Sequence, residues 1–259
     1  MLMILIFAAS LAPAVLVFLW LKKRKAGDGL YREICNRALG RGAVLCAALV
    51  LVVSGVLYGG ALVLRMLGVG AVARAVYYNF IVLALAEELV KYRVMRGLLK
   101  KHPYPYSWLD VTTMMMIVGI GFELTESVAY AIGANAGMML VRGFTAMHCG
   151  YGFIMGYFVG KGMKTGRKKY TCLGILVPFL LHGAYDCCLS EELGAISESF
   201  GVVSLALAAV AVVTLLVAIV HVRRAGKQAE YTEALEAGTL PAEVLSAETS
   251  AETIAETAE

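Results

Sequence analysis

Seven apolar runs, separated by short charged loops, set the limits on what this chain can fold into. They lie at residues 2–20, 43–64, 75–95, 111–132, 138–160, 170–189 and 200–222. Each is close to the ~20 residues that a helix needs to cross a bilayer core. No water is available in that core, so backbone groups must be satisfied within the segment, as they are in a helix. Composition agrees, because 60% of the 259 residues are hydrophobic, above the ~45–50% apolar content of soluble domains. The expected fold is all-α: a polytopic membrane bundle of about seven transmembrane helices spanning residues 1–224. The first run is followed, not preceded, by its charges, at Lys22, Lys23, Arg24 and Lys25. That order predicts a retained transmembrane helix and not a signal peptide.

The loops set an orientation. Basic residues follow the first, third, fifth and seventh runs, and residues 22–42 read as the first of these basic loops. By the positive-inside rule those loops are cytoplasmic, which places the N-terminus outside and the C-terminus inside a plasma membrane. Arg65 and Arg74 fall on the outer side and agree weakly. The net charge of +4 belongs to these loops and gives no reason to expect a nucleic-acid partner; the expected surroundings are membrane lipid. Cys35, Cys46, Cys149, Cys172, Cys187 and Cys188 match no disulfide or zinc-knuckle spacing and read as small buried side chains. Residues 225–259 are acidic and rich in Ala, Glu and Thr, with Ala-Glu-Thr recurring at 247, 251 and 255. They predict a solvated, largely disordered cytoplasmic tail.

Ionisable residues occur at depth in four consecutive runs only. Glu87, Glu88 and Lys91 lie in the third, Glu123 and Glu126 in the fourth, Arg142 and His148 in the fifth, and His182 and Asp186 in the sixth. A charged side chain near a bilayer centre costs roughly 2.5–3.5 kcal/mol on insertion scales, so such residues mark function by default. Glu87 and Lys91 are four apart, as are Phe122 and Glu126, and His182 and Asp186. On a helix each pair shares one face. Asp186 can hold the tautomer of His182. Glu with His can activate water for attack on a carbonyl. Two histidines and a carboxylate can also ligate zinc, although no His-Glu-x-x-His is present. Simpler readings stand beside these: a structural Glu87–Lys91 ion pair, a Glu123–Arg142 packing pair and a hydrogen-bonded core histidine at His148. Met114, Met115 and Met116 read as lipid- or core-facing filler. Gly119, Gly121, Gly150, Gly152, Gly156 and Gly160 read as close helix packing.

Glu87-Glu88-x-x-Lys91, Phe122-x-x-x-Glu126, His148 and His182-x-x-x-Asp186, in this order on consecutive helices, resemble the PrsW family of intramembrane proteases. That family is related to the bacterial ABI proteins and the CAAX-processing protease. The resemblance covers residues 75–190, a four-helix catalytic core. It implies hydrolysis of a peptide bond in a membrane-anchored protein, such as the first cut of a single-pass anti-sigma factor in a stress response. Carried over, Glu87 or Glu88 is the base, while His148 and His182 orient water or stabilise the oxyanion. Lys91, Phe122, Glu126 and Asp186 support them. Glu126 and Asp186 stand where the ABI group has histidine and asparagine. A glutamate-activated water is favoured and no cofactor is required. If zinc is used, His148, His182 and a carboxylate hold it. Two other functions compete with proteolysis: an ABI-like scaffold without catalysis, and a proton-coupled transporter using an Asp/Glu/His relay.

Overall fold

A computed structural model describes residues 2–133 and 146–236, with side chains placed within 5–131 and 146–228. Among the described residues the protein is all-helical, with no strand. The elements are α1 (Leu2–Lys23), α2 (Gly29–Gly40), a π-helical segment (Arg41–Cys46), α3 (Ala47–Met66), α4 (Ala71–Tyr77) and a second π segment (Tyr78–Leu85). Then come α5 (Ala86–Lys101), α6 (Trp108–Gly133), α7 (Met147–Thr165), α8 (Lys168–Leu189), α9 (Glu191–Gly194) and α10 (Ser199–Glu236).

Among the described residues, five helical stretches are long and apolar enough to cross a membrane: Leu5–Lys23, Gly29–Met66, Trp108–Ala131, Lys168–Leu189 and Ser199–Gln228. The rods at 71–101 and 147–165, which carry Glu87, Glu88 and His148, are not among them. Part of the fifth apolar run, with Arg142, lies outside the described residues. The described residues up to Ala218 form one compact unit. A second unit begins at Ile219, and its described part continues α10 as helix to Glu236. The rest of the expected tail, 237–259, lies outside the described residues.

Helix α6 is the centre of the first unit. Met114, Met115, Met116, Ile117, Val118 and Ile120 have no exposed surface, so the methionine run is core and not lipid-facing. The start of α6 is fixed by a reciprocal cap. Ser107 N–H donates to Asp110 Oδ2 at 2.9 Å, and Asp110 N–H donates to Ser107 Oγ at 3.1 Å. This satisfies two backbone donors at the helix end. The Asp110 carboxylate is fully buried and also pairs with Arg24 and Lys25, tying the end of α1 to α6.

Residues 29–40 correct an expectation. They were expected within a basic loop but form a helix, capped by Asp28, whose carboxylate accepts from Tyr31 N–H at 2.9 Å. Hydrogen bonds from the Tyr104 hydroxyl and the Tyr31 N–H hold the Asp28 carboxyl below its usual range. Tyr31, Ile34, Cys35 and Ala38 are buried, while Arg32, Glu33 and Arg37 face outward. The i, i+3, i+4, i+7 spacing of an amphipathic helix was obscured by the density of positive charge. Cys172 is the second correction: it is exposed on α8 and not buried. Thioether-free and small, it sits among outward-facing leucines in an apolar helix, where hydrophobicity alone does not distinguish an inner from an outer face.

Glycines bring α6 and α7 into backbone contact. A Cβ at Gly152 would stand 2.7 Å from the Met115 carbonyl oxygen, and one at Gly156 2.6 Å from Thr112 Cα. Gly160 meets Trp108 in the same way, Gly119 meets the backbone of His148, and Gly121 meets the segment around Leu39 and Ala43. Gly150 makes only ordinary contact, with Ala211 and Thr214 of α10. Small residues of this kind let helix backbones approach. The outward faces of α3 and α10 are apolar and exposed, as at Leu51, Val56, Val202 and Leu205.

Candidate active site

The π segment Tyr78–Leu85 leads directly into Glu87 and Glu88 in the first turn of α5. Its i→i+5 turns change the phase of the helix just before the two carboxylates, and such insertions recur at functional sites. Both glutamates point inward: Glu87 is 6% exposed and Glu88 is 0% exposed. Lys91 lies one turn on and is equally buried. Its Nζ donates to Glu87 Oε2 at 3.2 Å and to Glu88 Oε1 at 2.9 Å. It also lies 2.8 Å from His148 Nδ1 and 4.4 Å from the centre of the Phe122 ring.

The histidines close the cluster from α7 and α8. His182 Nδ1 is 3.0 Å from Glu88 Oε1, and its Nε2 is 3.1 Å from Asp186 Oδ2. His148 Nε2 is 2.6 Å from Glu126 Oε2. Glu87 Oε2 lies 4.0 Å and 3.9 Å from the Nε2 atoms of His148 and His182. Phe122 meets the His148 ring edge-on at 5.0 Å. Every site residue singled out in the sequence (Glu87, Glu88, Lys91, Phe122, Glu126, His148, His182 and Asp186) is therefore brought to one place.

Two residues have roles that spacing did not reveal. Tyr151 stacks on His182, with centroids 5.4 Å apart and planes inclined at 27°. It stands three residues after His148, on the same helical face, and that offset was the available signal. Behind it Met147, Tyr185, Ala208 and Ala211 form a packed core. Glu123 caps α7: its Oε2 accepts the His148 N–H at 3.1 Å, where Ala146 offers no side-chain cap. A carboxylate at a helix N-terminus is also favoured by the helix dipole. Ala146 adopts a left-handed backbone (φ 39°), uncommon for a residue with a Cβ, immediately before the helix that carries His148. Arg142, the other expected partner of Glu123, lies outside the described residues.

The donor set suits a divalent metal. Glu87, Glu88, His148 and His182 each offer a ligand atom, all within 4.8 Å of one another. Ligands at about 2.0–2.1 Å around a tetrahedral ion stand roughly 3.3 Å apart, close to the 3.0 Å between Glu88 Oε1 and His182 Nδ1. Glu88 Oε2 is buried without a hydrogen-bond partner among the described residues. Buried polar atoms are seldom left so, and a cation would satisfy this one.

Residues 36–221 match the family described as PrsW family intramembrane metalloprotease. The chain belongs to the PrsW family. All the clustered side chains fall within the matched region. Among curated proteins it is similar to protease PrsW of Clostridioides difficile, at 28% identity over 127 residues, covering 45% of this chain and 53% of that protein. It is 32% identical over 112 residues to protease PrsW of Oceanobacillus iheyensis, covering 41% of this chain and 52% of the relative. For protease PrsW of Bacillus subtilis the identity is 29% over 119 residues, covering 44% and 55%. The chain thus spans about half the length of the curated relatives it matches. No solved structure matches it. Family membership and several membrane-length helices make this a multi-pass membrane protein.

Proposed function

We propose that this protein is an intramembrane protease that hydrolyses a peptide bond in a membrane-anchored protein. The observation that carries this reading is the meeting of Glu87, Glu88, His148 and His182 within 4.8 Å, buried among helices of membrane length. The PrsW relatives, named as proteases, support it. A divalent metal held by His148, His182 and Glu88 would supply Lewis-acid polarisation of the scissile carbonyl. Glu87 is the general base, because its carboxylate faces both imidazoles and keeps a small exposed surface. It takes a proton from the attacking water as the oxygen bonds to the carbonyl carbon. It then returns that proton to the nitrogen as the C–N bond breaks, leaving a carboxylic acid and an amine. Asp186 and Glu126 hold the rings of His182 and His148 in orientation.

Lys91 favours a second mechanism within the same activity. Its ammonium already bonds to Glu87, Glu88 and His148, so it offsets part of the buried carboxylate charge in place of a metal and leaves a glutamate-activated water as the route without one. For the substrate, we propose a single-pass membrane protein such as an anti-sigma factor. Seven spans in a bacterial plasma membrane, with the N-terminus outside and residues 225–259 in the cytoplasm, complete the reading.

The deciding experiment is cleavage of a single-pass anti-sigma factor by the purified protein in vesicles, with and without a strong chelator. Cleavage lost on chelation and restored by zinc supports the metal. Cleavage that survives chelation but disappears in Glu87→Gln supports the glutamate mechanism. Cleavage retained by both Glu87→Gln and His182→Ala would sink the site.

A further inference from the structure

Away from the carboxylate and histidine cluster, a groove of about 670 Å³ opens on the outside of the bundle between α5, α7 and α8. Arg96 and Lys100 of α5, with Arg167 and Lys168 at the turn from α7 to α8, line it. All four are exposed, and no carboxylate lines the groove. Among the described residues, none of the four makes an ion pair. Four cations held close together without counter-charge repel one another, and a bound anion would remove that repulsion.

Two further features select the anion. The first turn of α8 opens onto the same groove, and Arg167 at its N-cap provides no side-chain hydrogen bond. Tyr170 N–H turns back onto the Arg167 carbonyl at 3.2 Å, and the positive end of the helix beside it still favours phosphate. The remaining wall is apolar: Met95, Leu99, Val159 and Met163 line it, and the exposed leucines Leu173, Leu176 and Leu180 continue along α8. A phosphate head over cations with an apolar trough beside it has the shape of a phospholipid. Basic pockets at the ends of transmembrane helices take anionic headgroups.

We propose that this groove binds one anionic phospholipid, with its phosphate on Arg96, Lys100, Arg167 and Lys168 and an acyl chain along the apolar wall. The lipid bridges α5, which carries Glu87 and Glu88, to the turn between α7 and α8, which carry His148 and His182. The site neither depends on the proposed proteolysis nor uses any of its residues.

Native mass spectrometry of the full chain, delipidated in neutral detergent, tests it. Phosphatidylglycerol or phosphatidylcholine would be added back at matched ratios. The expected result is one phosphatidylglycerol retained per chain where phosphatidylcholine is not. That retention should fall at least tenfold in Arg96→Gln/Lys100→Gln/Arg167→Gln/Lys168→Gln. It should persist in Lys23→Gln/Arg32→Gln/Arg65→Gln/Arg93→Gln, which removes four exposed cations elsewhere. In the same samples, phosphatidylglycerol should slow maleimide labelling of Cys172, which lines the groove and is exposed. A Cys188→Ser background removes the other partly exposed thiol. Equal retention of the two lipids, or equal loss in both quadruple variants, overturns the proposal. Displacement of the lipid by an equal concentration of inorganic phosphate overturns the lipid as ligand, because the apolar wall would then contribute nothing.

Discussion

The ammonium of Lys91 lies 2.8 Å from Nδ1 of His148, joining α5 to α7 through the middle of the carboxylate cluster. An ammonium only donates, so Nδ1 accepts and the ring proton of His148 sits on Nε2, directed at Glu126 2.6 Å away. The lone pair that a metal would need on His148 is therefore the one Lys91 occupies. Lys91 and a metal ion are alternative partners for the same acceptors.

That relationship makes Lys91→Met informative. Removing the cation leaves Glu87 and Glu88 buried without compensation, a change that costs about 3–5 kcal/mol in buried pairs. For a chain of this size that corresponds to a fall in Tm of roughly 6–20 °C in the presence of a chelator. Zinc should recover most of the loss in Lys91→Met while shifting the unaltered protein less, because there it must displace the lysine. Thermal unfolding in detergent, with chelator and with zinc, measures both. Equal Tm values for the two proteins under chelation would show that Lys91 does not compensate the carboxylates.

Asp186→Asn and Glu126→Gln test the orientation of the histidines. Each substitution keeps the shape but removes the charge that fixes an imidazole, at 3.1 Å from His182 and 2.6 Å from His148. Carboxylates that orient ligating histidines contribute about 10–100-fold to metal affinity or activity. Each variant should lose that much zinc affinity, read by competition with a fluorescent chelator, without losing folded yield. Affinity unchanged in both would mean that the rings are held by packing alone.

The parts of this site legible in the sequence are the local ones. Glu87 with Lys91, and His182 with Asp186, are single-helix pairs whose four-residue spacing survives any tertiary arrangement. Glu126 with His148 and Lys91 with His148 bridge helices, and only the packing of α5, α6 and α7 defines them. The motif order placed these residues together, but it could not say which nitrogen faces which carboxylate. Tyr151 was missed because an aromatic residue in an apolar helix looks like core whether or not it touches a histidine. Helix α2 was missed because charge count outweighed periodicity, and the π segments leave no mark in composition.

Tyr151 offers a graded test. The stack on His182 belongs to the ring, while among the described residues the hydroxyl reaches only Met147 Sδ, at 3.8 Å. Tyr151→Phe should therefore cleave substrate within about twofold of the unaltered protein. Tyr151→Leu loses the aromatic pairing, worth about 0.5–1.5 kcal/mol, and should fall roughly 2–10-fold in kcat/KM. If the phenylalanine variant falls as far as the leucine variant, the hydroxyl and not the ring is what matters.

Gly119→Ala separates helix packing from chemistry. Gly119 of α6 faces the backbone carbonyl of His148, and a Cβ there would overlap that carbonyl. The neighbour is backbone and cannot rotate away, so the start of α7 must shift. Overpacking of this kind costs about 1–3 kcal/mol. The larger effect should be on activity. The same shift moves His148 relative to Lys91 and Glu126 and strains the cap from Glu123. Gly150→Ala is the control, because its nearest neighbour, the Ala211 carbonyl oxygen, lies at an ordinary 3.5 Å. Gly119→Ala should fold with a slightly lower Tm but lose cleavage by more than tenfold, while Gly150→Ala keeps both within about twofold. Comparable activity in the two variants would show that the site tolerates movement of α7, and that the position of His148 relative to α5 does not limit the reaction.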